Sequence, residues 1–470
     1  MCREKRRAKC PLHCKKNVKM YIVSSMKKIM LFIACCLCLL SCSLSSGKKI
    51  DRVQTKKEIY ARKKLQPLKE EIASVHQKKQ AAIEQYINSL SLEEKICQLF
   101  IVNLEGDRTF VPVEKMTAVS SGYKDGVPVI PGGYLFFSYN LAETPEEVIG
   151  FTDSIREFCI ENDCIPPFLA VDQEGGYVNR LRTLNGPLPS AERVSSRLPV
   201  EKAYRLYSLQ AVQMKSLGFS VNMAPVVEIC TDMNREFLDG RSFGDAAAVE
   251  QYSRACVNAY ENNGIGTVPK HFPGNTNTDP HTGLPEIRLS KENLYSLLVP
   301  FRKIVSARPS GMLMSHARTS CIDSKTPACL SYEWVTKTLK DTYGFEGIVF
   351  SDDIFMGALS GNGYPPEKAC VQAIEAGVDC IMISEKRIAD PAKVLVEHAL
   401  ADEAFSARIT DAAKKMILFK LKYGILEWQR EQGGKAYSIN PCVQSESAED
   451  RLVHFYDARN ENRELYIENF

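Results

Sequence analysis

The feature of this chain that most restricts its fold is a series of eight short apolar runs separated by longer amphipathic stretches. The runs cover residues 99–102, 133–137, 168–171, 221–226, 265–268, 312–314, 348–350 and 380–383. Stretches between them, such as 202–217 and 246–262, have a helical pattern. Apolar strands that alternate with helices indicate a parallel sheet, and eight such units favour a closed barrel. We therefore predict an α/β fold, a (β/α)8 TIM-type barrel forming one domain.

Polar residues follow four of these runs within one to three positions. Asp172 follows the third run, Lys270 and His271 the fifth, His316 the sixth and Asp352 the seventh. In a parallel barrel the carboxyl ends of all strands converge on one mouth. The positions therefore predict a functional site at that mouth.

Residues 270–285 concentrate titratable groups in a segment rich in turn-forming residues. His271 and His281 are two of only seven histidines, and Lys270 and Asp279 lie in the same segment. Asp279 and His281 are two positions apart, which allows a carboxylate to orient an imidazole in a bent loop. An imidazole held in this way can give or take a proton near neutral pH.

The adjacent aspartates Asp352 and Asp353 follow the seventh run. Successive strand residues point to opposite faces, so only one of the two is expected to enter the mouth. Periodicity does not select which one, and capping of the following helix by the pair is an equal alternative. In the loop after the third run, Glu174 precedes two glycines, and a structural role is favoured over a catalytic one.

Arg241, in the small-residue loop 240–244, is interpreted as a fixed cation of the mouth, with a surface arginine as the alternative. Aspartates, arginines, a lysine and histidines at one mouth suit a hydroxyl-rich ligand, because each hydroxyl needs donors and acceptors. The net charge of +3 gives no preference for nucleic acid. Zinc-type Cys/His spacing, a Gly-rich phosphate loop and internal repeats are all missing from the sequence.

The amino terminus has the pattern of an export signal. Residues 1–28 are rich in Lys and Arg, and the apolar run 29–40 is too short for a stable bilayer span. The run ends in Leu-Leu-Ser-Cys42, which resembles the lipobox of bacterial lipoproteins and implies cleavage before Cys42 and its acylation. An exported, lipid-anchored protein of the bacterial cell envelope is predicted; an uncleaved signal anchor is the alternative.

We predict four segments: a lipoprotein signal peptide (1–41), a charged helical spacer (42–90), a barrel domain (91–427) and a polar C-terminal tail without an obvious core (428–470). The ten cysteines after Cys42 are scattered through apolar segments, which is typical of buried free thiols. A disulfide between Cys159 and Cys164 is the alternative, since export permits it.

Four motifs together resemble those of glycoside hydrolase family 3, in its bacterial β-N-acetylglucosaminidase branch. They are Asp172-Gln-Glu-Gly-Gly, Lys270-His-Phe-Pro-Gly, Asp279-Pro-His281 and Phe350-Ser-Asp352-Asp353. The resemblance covers roughly residues 91–425 and implies a catalytic barrel that needs no metal or organic cofactor. Its implied partner is a carbohydrate with a terminal β-linked N-acetylglucosamine.

The resemblance also implies roles for single residues. Asp352 matches the nucleophile of a retaining mechanism, His281 the acid/base and Asp279 the carboxylate paired with that histidine. The sugar-binding positions of the family match Asp172, Arg180, Arg241, Lys270 and His271.

This chain departs from the usual pattern of the branch in one loop, which is two residues shorter and has Pro280 in place of serine. Pro280 fixes its own φ and biases Asp279 towards an extended conformation, which predicts a stiffer loop. Alternatives on the same barrel are a β-glucosidase and an N-acetylglucosaminide phosphorylase. A sugar-binding lipoprotein without catalysis is a further alternative.

Overall fold

The computed structural model of the protein describes residues 52–470, apart from 113, 121–123, 125, 432, 435 and 445, with side chains from residue 65 onward. The predicted signal peptide and Cys42 lie outside the described residues. The described chain divides into two compact units, with the boundary between His76 and Gln77. The described part of the first unit lies in helix α1, Arg52–Ser89, which ends within the second unit.

The second unit is built on an eight-stranded sheet in which every pairing is parallel. Its strands are β1 (Phe100–Asn103), β2 (Gly133–Phe136), β3 (Phe168–Val171), β4 (Val221–Asn222), β5 (Gly266–Thr267), β6 (Gly311–Leu313), β7 (Ile348–Asp353) and β8 (Cys380–Ile383). The spatial order is β6-β7-β8-β1-β2-β3-β4-β5. Each of the eight strands overlaps one of the predicted apolar runs.

The sheet closes between β6 and the residues that follow β5. Leu313 N–H donates to the carbonyl of Pro269 (3.0 Å), and Phe272 N–H donates to the carbonyl of Leu313 (2.8 Å). A parallel bridge between Phe272 and Met314 continues this seam. The predicted (β/α)8 TIM-type barrel is thereby confirmed.

Both faces of the strands are apolar because both are covered. One cluster fills the barrel interior; its members include Ile101, Leu135, Phe168, Phe350 and Met382. Their chain neighbours belong to a second cluster between strands and helices, including Phe100, Phe136, Leu169, Val349 and Ile381. This alternation explains why the strands appear in the sequence as continuous apolar runs.

The helices flank the barrel strands in chain order. They are α2 (Leu92–Cys97), α3 (Pro145–Glu161), α4 (Ala191–Arg197), α5 (Val200–Ser216), α6 (Arg235–Leu238), α7 (Ala246–Asn262), α8 (Lys291–Leu297), α9 (Val299–Ile304), a π-helix (Glu333–Thr342), α10 (Gly357–Ser360), α11 (Pro366–Ala376), α12 (Ala389–Ala401) and α13 (Glu403–Lys422). The connection from β1 to β2 instead carries a short antiparallel pair, Lys115–Met116 with Val127–Pro128. Single turns of 3₁₀ helix occur at Ser138–Asn140, Val305–Ala307 and Ala328–Leu330.

Residues after the barrel pack against it, which differs from the coreless tail expected from the sequence. An antiparallel hairpin of β9 (Leu426–Arg430) and β10 (Tyr437–Pro441) precedes helix α14 (Ala448–Asn469). On α14, Phe455 is buried, and the buried Arg451 donates to Asp153 of α3 (2.8 and 3.0 Å). Because this contact face includes buried polar side chains, it leaves little hydrophobic pattern in the sequence.

No helix formed by the described residues combines the length and apolar character needed to cross a membrane. Cys159 and Cys164 are free thiols, so the alternative of a disulfide between them is not realised.

Candidate active site

A cavity of about 600 Å³ opens at the carboxyl ends of the barrel strands. Its inner wall is apolar and includes Leu135, Leu313 and Met382 from β2, β6 and β8. Most of the remaining lining residues are polar or charged. Every sequence-predicted sugar-binding or catalytic residue except Asp279 borders this cavity, namely Asp172, Arg180, Arg241, Lys270, His271, His281 and Asp352.

Lys270 and Arg241 form a buried cluster of ion pairs with two acidic residues from the loop after β3. Lys270 Nζ lies 2.6 Å from Asp172 Oδ1 and 2.7 Å from Glu174 Oε1. Arg241 binds the same Glu174 carboxylate through two parallel contacts, Nε–Oε2 at 2.8 Å and Nη2–Oε1 at 2.9 Å. Such a bidentate pair fixes both side chains in orientation as well as in charge.

These pairings determine the charge states of the cluster. Burial alone would raise the pKa of Glu174, but Arg241 and Lys270 outweigh it and hold the pKa well below its usual range. Burial would likewise lower the pKa of Lys270, yet Asp172 and Glu174 raise it above its usual value. Glu174 is therefore a carboxylate occupied by two cations, which agrees with the structural role favoured from the sequence.

His271 is held by a residue that sequence reasoning missed. Its Nδ1 lies 2.7 Å from Oε1 of the buried Glu228, so Nδ1–H is the donor and Nε2 is left as an acceptor, 3.5 Å from Arg241 Nη2. Glu228 also accepts the backbone N–H of Asn275 (2.6 Å). Glu228 stands two residues after the fourth apolar run, so the rule that identified Asp172 and Asp352 would also have found it.

Asp352 and Asp353 both border the cavity, so the expectation that only one would reach the mouth is wrong. A register shift between Phe350 and Asp353 interrupts the alternation of β7. The Asp353 carboxylate accepts the backbone N–H groups of Phe355 and Ser384 (both 3.1 Å) and the Ser384 hydroxyl. Asp352 accepts only the N–H of Asp353 at Oδ1 (2.9 Å) among the described residues, and its Oδ2 stays available to a ligand.

Asp279 and His281 form the predicted pair, on the shortened loop. Asp279 Oδ1 lies 2.7 Å from His281 Nδ1 and also accepts the backbone N–H of His281 (3.0 Å). These two hydrogen bonds lower the pKa of Asp279, and the residue stays a carboxylate. His281 Nδ1 therefore carries a proton, and its Nε2 is free to exchange one.

The loop is attached to the start of helix α10, which follows Asp352 in the chain. Ala358 N–H donates to the carbonyl of Pro280 (3.0 Å). A Cβ atom on Gly357 would lie 2.4 Å from the carbonyl oxygen of His281, so only glycine permits this approach. The contact brings Pro280 and His281 to the edge of the cavity that holds Asp352.

Arg180 borders the cavity beside an aromatic pair. Its guanidinium lies 5.7 Å from the ring centre of Phe137, which stacks on Tyr139 at 5.8 Å with nearly parallel planes. Phe137 orients the cation, and the exposed Tyr139 extends the aromatic surface towards solvent.

His316 is not part of the site, although its position after the sixth run predicted a place at the mouth. The side chain is fully buried; Nε2 lies 3.0 Å from the carbonyl of Asp353 and Nδ1 3.2 Å from Cys329 Sγ. Burial lowers the pKa of His316, so it is a neutral group that supports the backbone of Asp353.

The mouth contains further residues that the sequence did not point to, namely Tyr177, Glu236, Phe237, Asp239 and Ser384. They lie in loops or in the four-residue helix α6, where no strand pattern marks their orientation. Among the described residues, no group of three or more His, Cys, Asp or Glu side chains is placed to hold a metal ion.

The family model described as the glycosyl hydrolase family 3 N terminal domain matches residues 91–418. The chain belongs to glycosyl hydrolase family 3. The resemblance inferred from the four motifs is thereby confirmed, and the names of its relatives agree with the predicted β-N-acetylglucosaminidase branch.

Two curated relatives and one solved structure illustrate the similarity. Beta-hexosaminidase A of Pseudoalteromonas piscicida is 28% identical over 316 residues, which is 60% of this chain and 52% of the relative. Beta-hexosaminidase of Alkalilimnicola ehrlichii is 33% identical over 56% of this chain and 76% of the relative. A family 3 β-N-acetylglucosaminidase from Paenibacillus sp. superposes with a TM-score of 0.65 at 25% identity, over 80% of this chain and 67% of that structure. The match thus spans about half of the Pseudoalteromonas relative.

Proposed function

We propose that this protein is a retaining exo-glycosidase that releases terminal β-linked N-acetylglucosamine from glycans or peptidoglycan fragments. The observation that carries the proposal is the state of Asp352. The other inner carboxylates, Asp172, Glu174 and Asp353, are occupied by cations or by N–H and O–H donors. Among these four, Asp352 alone has no cation partner and also keeps one oxygen, Oδ2, without a donor from the described residues; it lines the cavity that His281 also borders.

In the first step, Asp352 Oδ2 attacks the anomeric carbon, and the bond to the leaving oxygen breaks. The imidazolium of His281 transfers its Nε2 proton to that oxygen, while Asp279 holds Nδ1 and stabilises the cation. In the second step, the neutral imidazole takes a proton from water, which attacks the anomeric carbon and releases Asp352. Two inversions at one carbon give retention.

The sugar ring would lie among donors and acceptors that are already fixed before it binds. Lys270 and Arg241 are held by Asp172 and Glu174, and His271 is held by Glu228. Preorganised partners of this kind lower the ordering cost of binding hydroxyl groups. Preference for an N-acetyl group is supported by the names of the relatives: Beta-hexosaminidase and β-N-acetylglucosaminidase.

The test is hydrolysis of nitrophenyl N-acetyl-β-glucosaminide and nitrophenyl β-glucoside by the purified chain, with and without phosphate. We expect free N-acetylglucosamine of retained configuration, detected by proton NMR. Preference for the glucoside would favour a β-glucosidase, and a sugar 1-phosphate product would favour a phosphorylase. Absence of turnover on either substrate would favour the sugar-binding alternative.

We also propose that the enzyme is exported and anchored through an acylated Cys42, on the evidence of Leu-Leu-Ser before that cysteine and the short apolar run. Mass spectrometry of detergent-extracted protein should show a diacyl or triacyl group on an amino-terminal cysteine. A product that retains residues 26–41 would contradict the proposal.

A further inference from the structure

Helix α6 and the residue that follows it place two exposed carboxylates at the mouth of the cavity. Glu236 and Asp239 both border it, on either side of the partly buried ring of Phe237. Neither carboxylate forms an ion pair with any residue in the described part of the chain. Both are therefore free to act on the charge of a molecule that enters.

The acid/base loop is attached directly to this helix. The side-chain oxygen of Asn277 accepts the backbone N–H groups of Glu236 (3.0 Å) and Phe237 (3.3 Å). Asn277 also donates its own N–H to the carbonyl of Met233 (2.7 Å) and its amide to the carbonyl of Asp232 (3.0 Å). Under the proposed function His281 protonates the leaving group, so the leaving group passes beside the helix to which this loop is attached.

The two inner cations of the cavity are paired with carboxylates, whereas the two carboxylates at the mouth have no cation partner among the described residues. Lys270 and Arg241 are paired with Asp172 and Glu174, as described above. The lining carboxyl groups without a cation partner are those of Asp352, Asp353, Glu236 and Asp239, against the single unpaired cation of Arg180. The leaving-group side is therefore net negative.

We propose that Glu236 and Asp239 select the leaving group by its charge. Neutral saccharides and saccharides carrying a protonated amine are favoured, and saccharides carrying a carboxylate are disfavoured, because charges at an open mouth act on both encounter and binding. This inference rests on the proposed function, because it takes the sugar beyond the terminal N-acetylglucosamine to lie beside α6.

The test uses the purified full chain and three β-1,4-linked disaccharides that share a non-reducing N-acetylglucosamine. Their second sugar is N-acetylglucosamine (neutral), glucosamine (cationic) or N-acetylmuramic acid (anionic). We expect kcat/KM to fall in the order cationic, neutral, anionic. In the double variant Glu236→Gln/Asp239→Asn, the kcat/KM of the anionic substrate divided by that of the neutral substrate should rise. The expected rise is about two- to fivefold for each charge removed, which is the size of the effect of an exposed ion pair.

Glu157→Gln on α3 and Asp341→Asn in the π-helix are matched controls, because both residues are exposed and remote from the cavity lining. They should leave the ratio unchanged. An unchanged ratio in the double variant would overturn the charge selection while leaving the proposed function intact.

Failure of the proposed function would appear differently, as no sugar release from any of the three disaccharides. In that case, charge selection can still be tested by titration calorimetry of the same disaccharides. The proteins compared are Asp352→Asn and the same variant with Glu236→Gln/Asp239→Asn added. The quantity compared is the Kd of the anionic disaccharide divided by the Kd of the neutral one. If the substitutions at Glu236 and Asp239 leave this ratio unchanged, the charge selection is refuted; if they lower it, the selection is supported.

Discussion

Asp352 and Asp353 are chain neighbours with different surroundings, and that difference predicts different consequences of mutation. Asp352→Asn removes the proposed nucleophile and should lower kcat/KM by about a thousandfold or more. Asp353→Asn should act mainly on stability, because burial raises the pKa of this group and its oxygens satisfy two backbone N–H groups. Steady-state kinetics and thermal unfolding of both variants measure the two effects.

A slowly hydrolysed fluorinated N-acetylglucosaminide provides the independent check on this assignment. Peptide mapping should find the trapped sugar on Asp352. A sugar trapped on Asp353 or Glu174 would show that the nucleophile has been misassigned.

His281 and Asp279 should respond to the leaving group. His281→Ala should lower kcat/KM about a hundredfold or more for saccharide leaving groups, which need protonation, and far less for nitrophenolate. Asp279→Asn keeps the imidazole but removes the negative charge that orients it. We therefore expect a smaller loss of kcat/KM, again larger for saccharide leaving groups than for nitrophenolate. Near-normal turnover of both substrate types by His281→Ala would rule out its role as acid/base.

Site residues were predictable from the sequence where they directly follow a barrel strand. Asp172, Lys270 and Asp352 follow apolar runs, and barrel geometry brings such positions together. His316 also follows an apolar run, but its side chain is buried under β7. The position of a residue after a strand therefore does not predict the direction in which its side chain points. Glu228 also follows an apolar run, although it is not among the predicted site residues.

At the scale of elements, the acid/base loop is attached to α6 through Asn277 and to α10 through Pro280 and Gly357. Asn277→Ala removes three side-chain hydrogen bonds and should lower kcat for saccharide leaving groups by about tenfold, the effect of one to two net hydrogen bonds. The nitrophenyl substrate should be affected less, since its leaving group does not depend on His281. KM should change little in either case.

Two comparisons make this prediction specific to the loop. Gly357→Ala forces the carbonyl of His281 away from α10. It should lower kcat more than Asn277→Ala does, again mainly for saccharide leaving groups. Asn293→Ala, an exposed asparagine on α8, serves as the control and should show neither effect. Equal losses on both substrates would indicate general destabilisation instead of a misplaced His281.

The regular elements of the barrel were predictable because strands covered on both faces are apolar throughout. Helix α14 was not, because its contact face includes Arg451 and Asn462, which donate to the carbonyls of Ser216 and Pro187 in the folded chain. The four-residue helix α6 gives too little sequence for any periodicity, so its residues at the mouth could not be anticipated.

At the scale of the whole molecule, stability should depend on pH through the buried Lys420 of α13. Its amine donates to Gln98 Oε1 (2.6 Å), and burial lowers its pKa to about 7. Between this value and the ordinary lysine pKa of about 10.4, the unfolded chain binds more protons than the folded one. The contribution of Lys420 to stability is therefore least favourable at and below pH 7 and improves as the pH rises.

Replacing both partners, as Lys420→Met/Gln98→Met, should raise the free energy of unfolding at pH 7, and the gain should shrink as the pH approaches 10. Gln98→Met alone leaves the buried amine without its acceptor and should destabilise the protein. Urea unfolding at several pH values measures both. A gain that does not vary with pH would mean that Lys420 is protonated in the folded state throughout.

The apolar inner wall of Leu135, Leu313 and Met382 has a kinetic consequence. It belongs to the packed barrel interior, so a saccharide enters and leaves through one opening. Under the proposed activity, the terminal sugar cannot depart until the rest of the chain has cleared the mouth. Free N-acetylglucosamine should then inhibit competitively, whereas a leaving saccharide that lacks a terminal N-acetylglucosamine should not, because the first unit to enter is the last to leave.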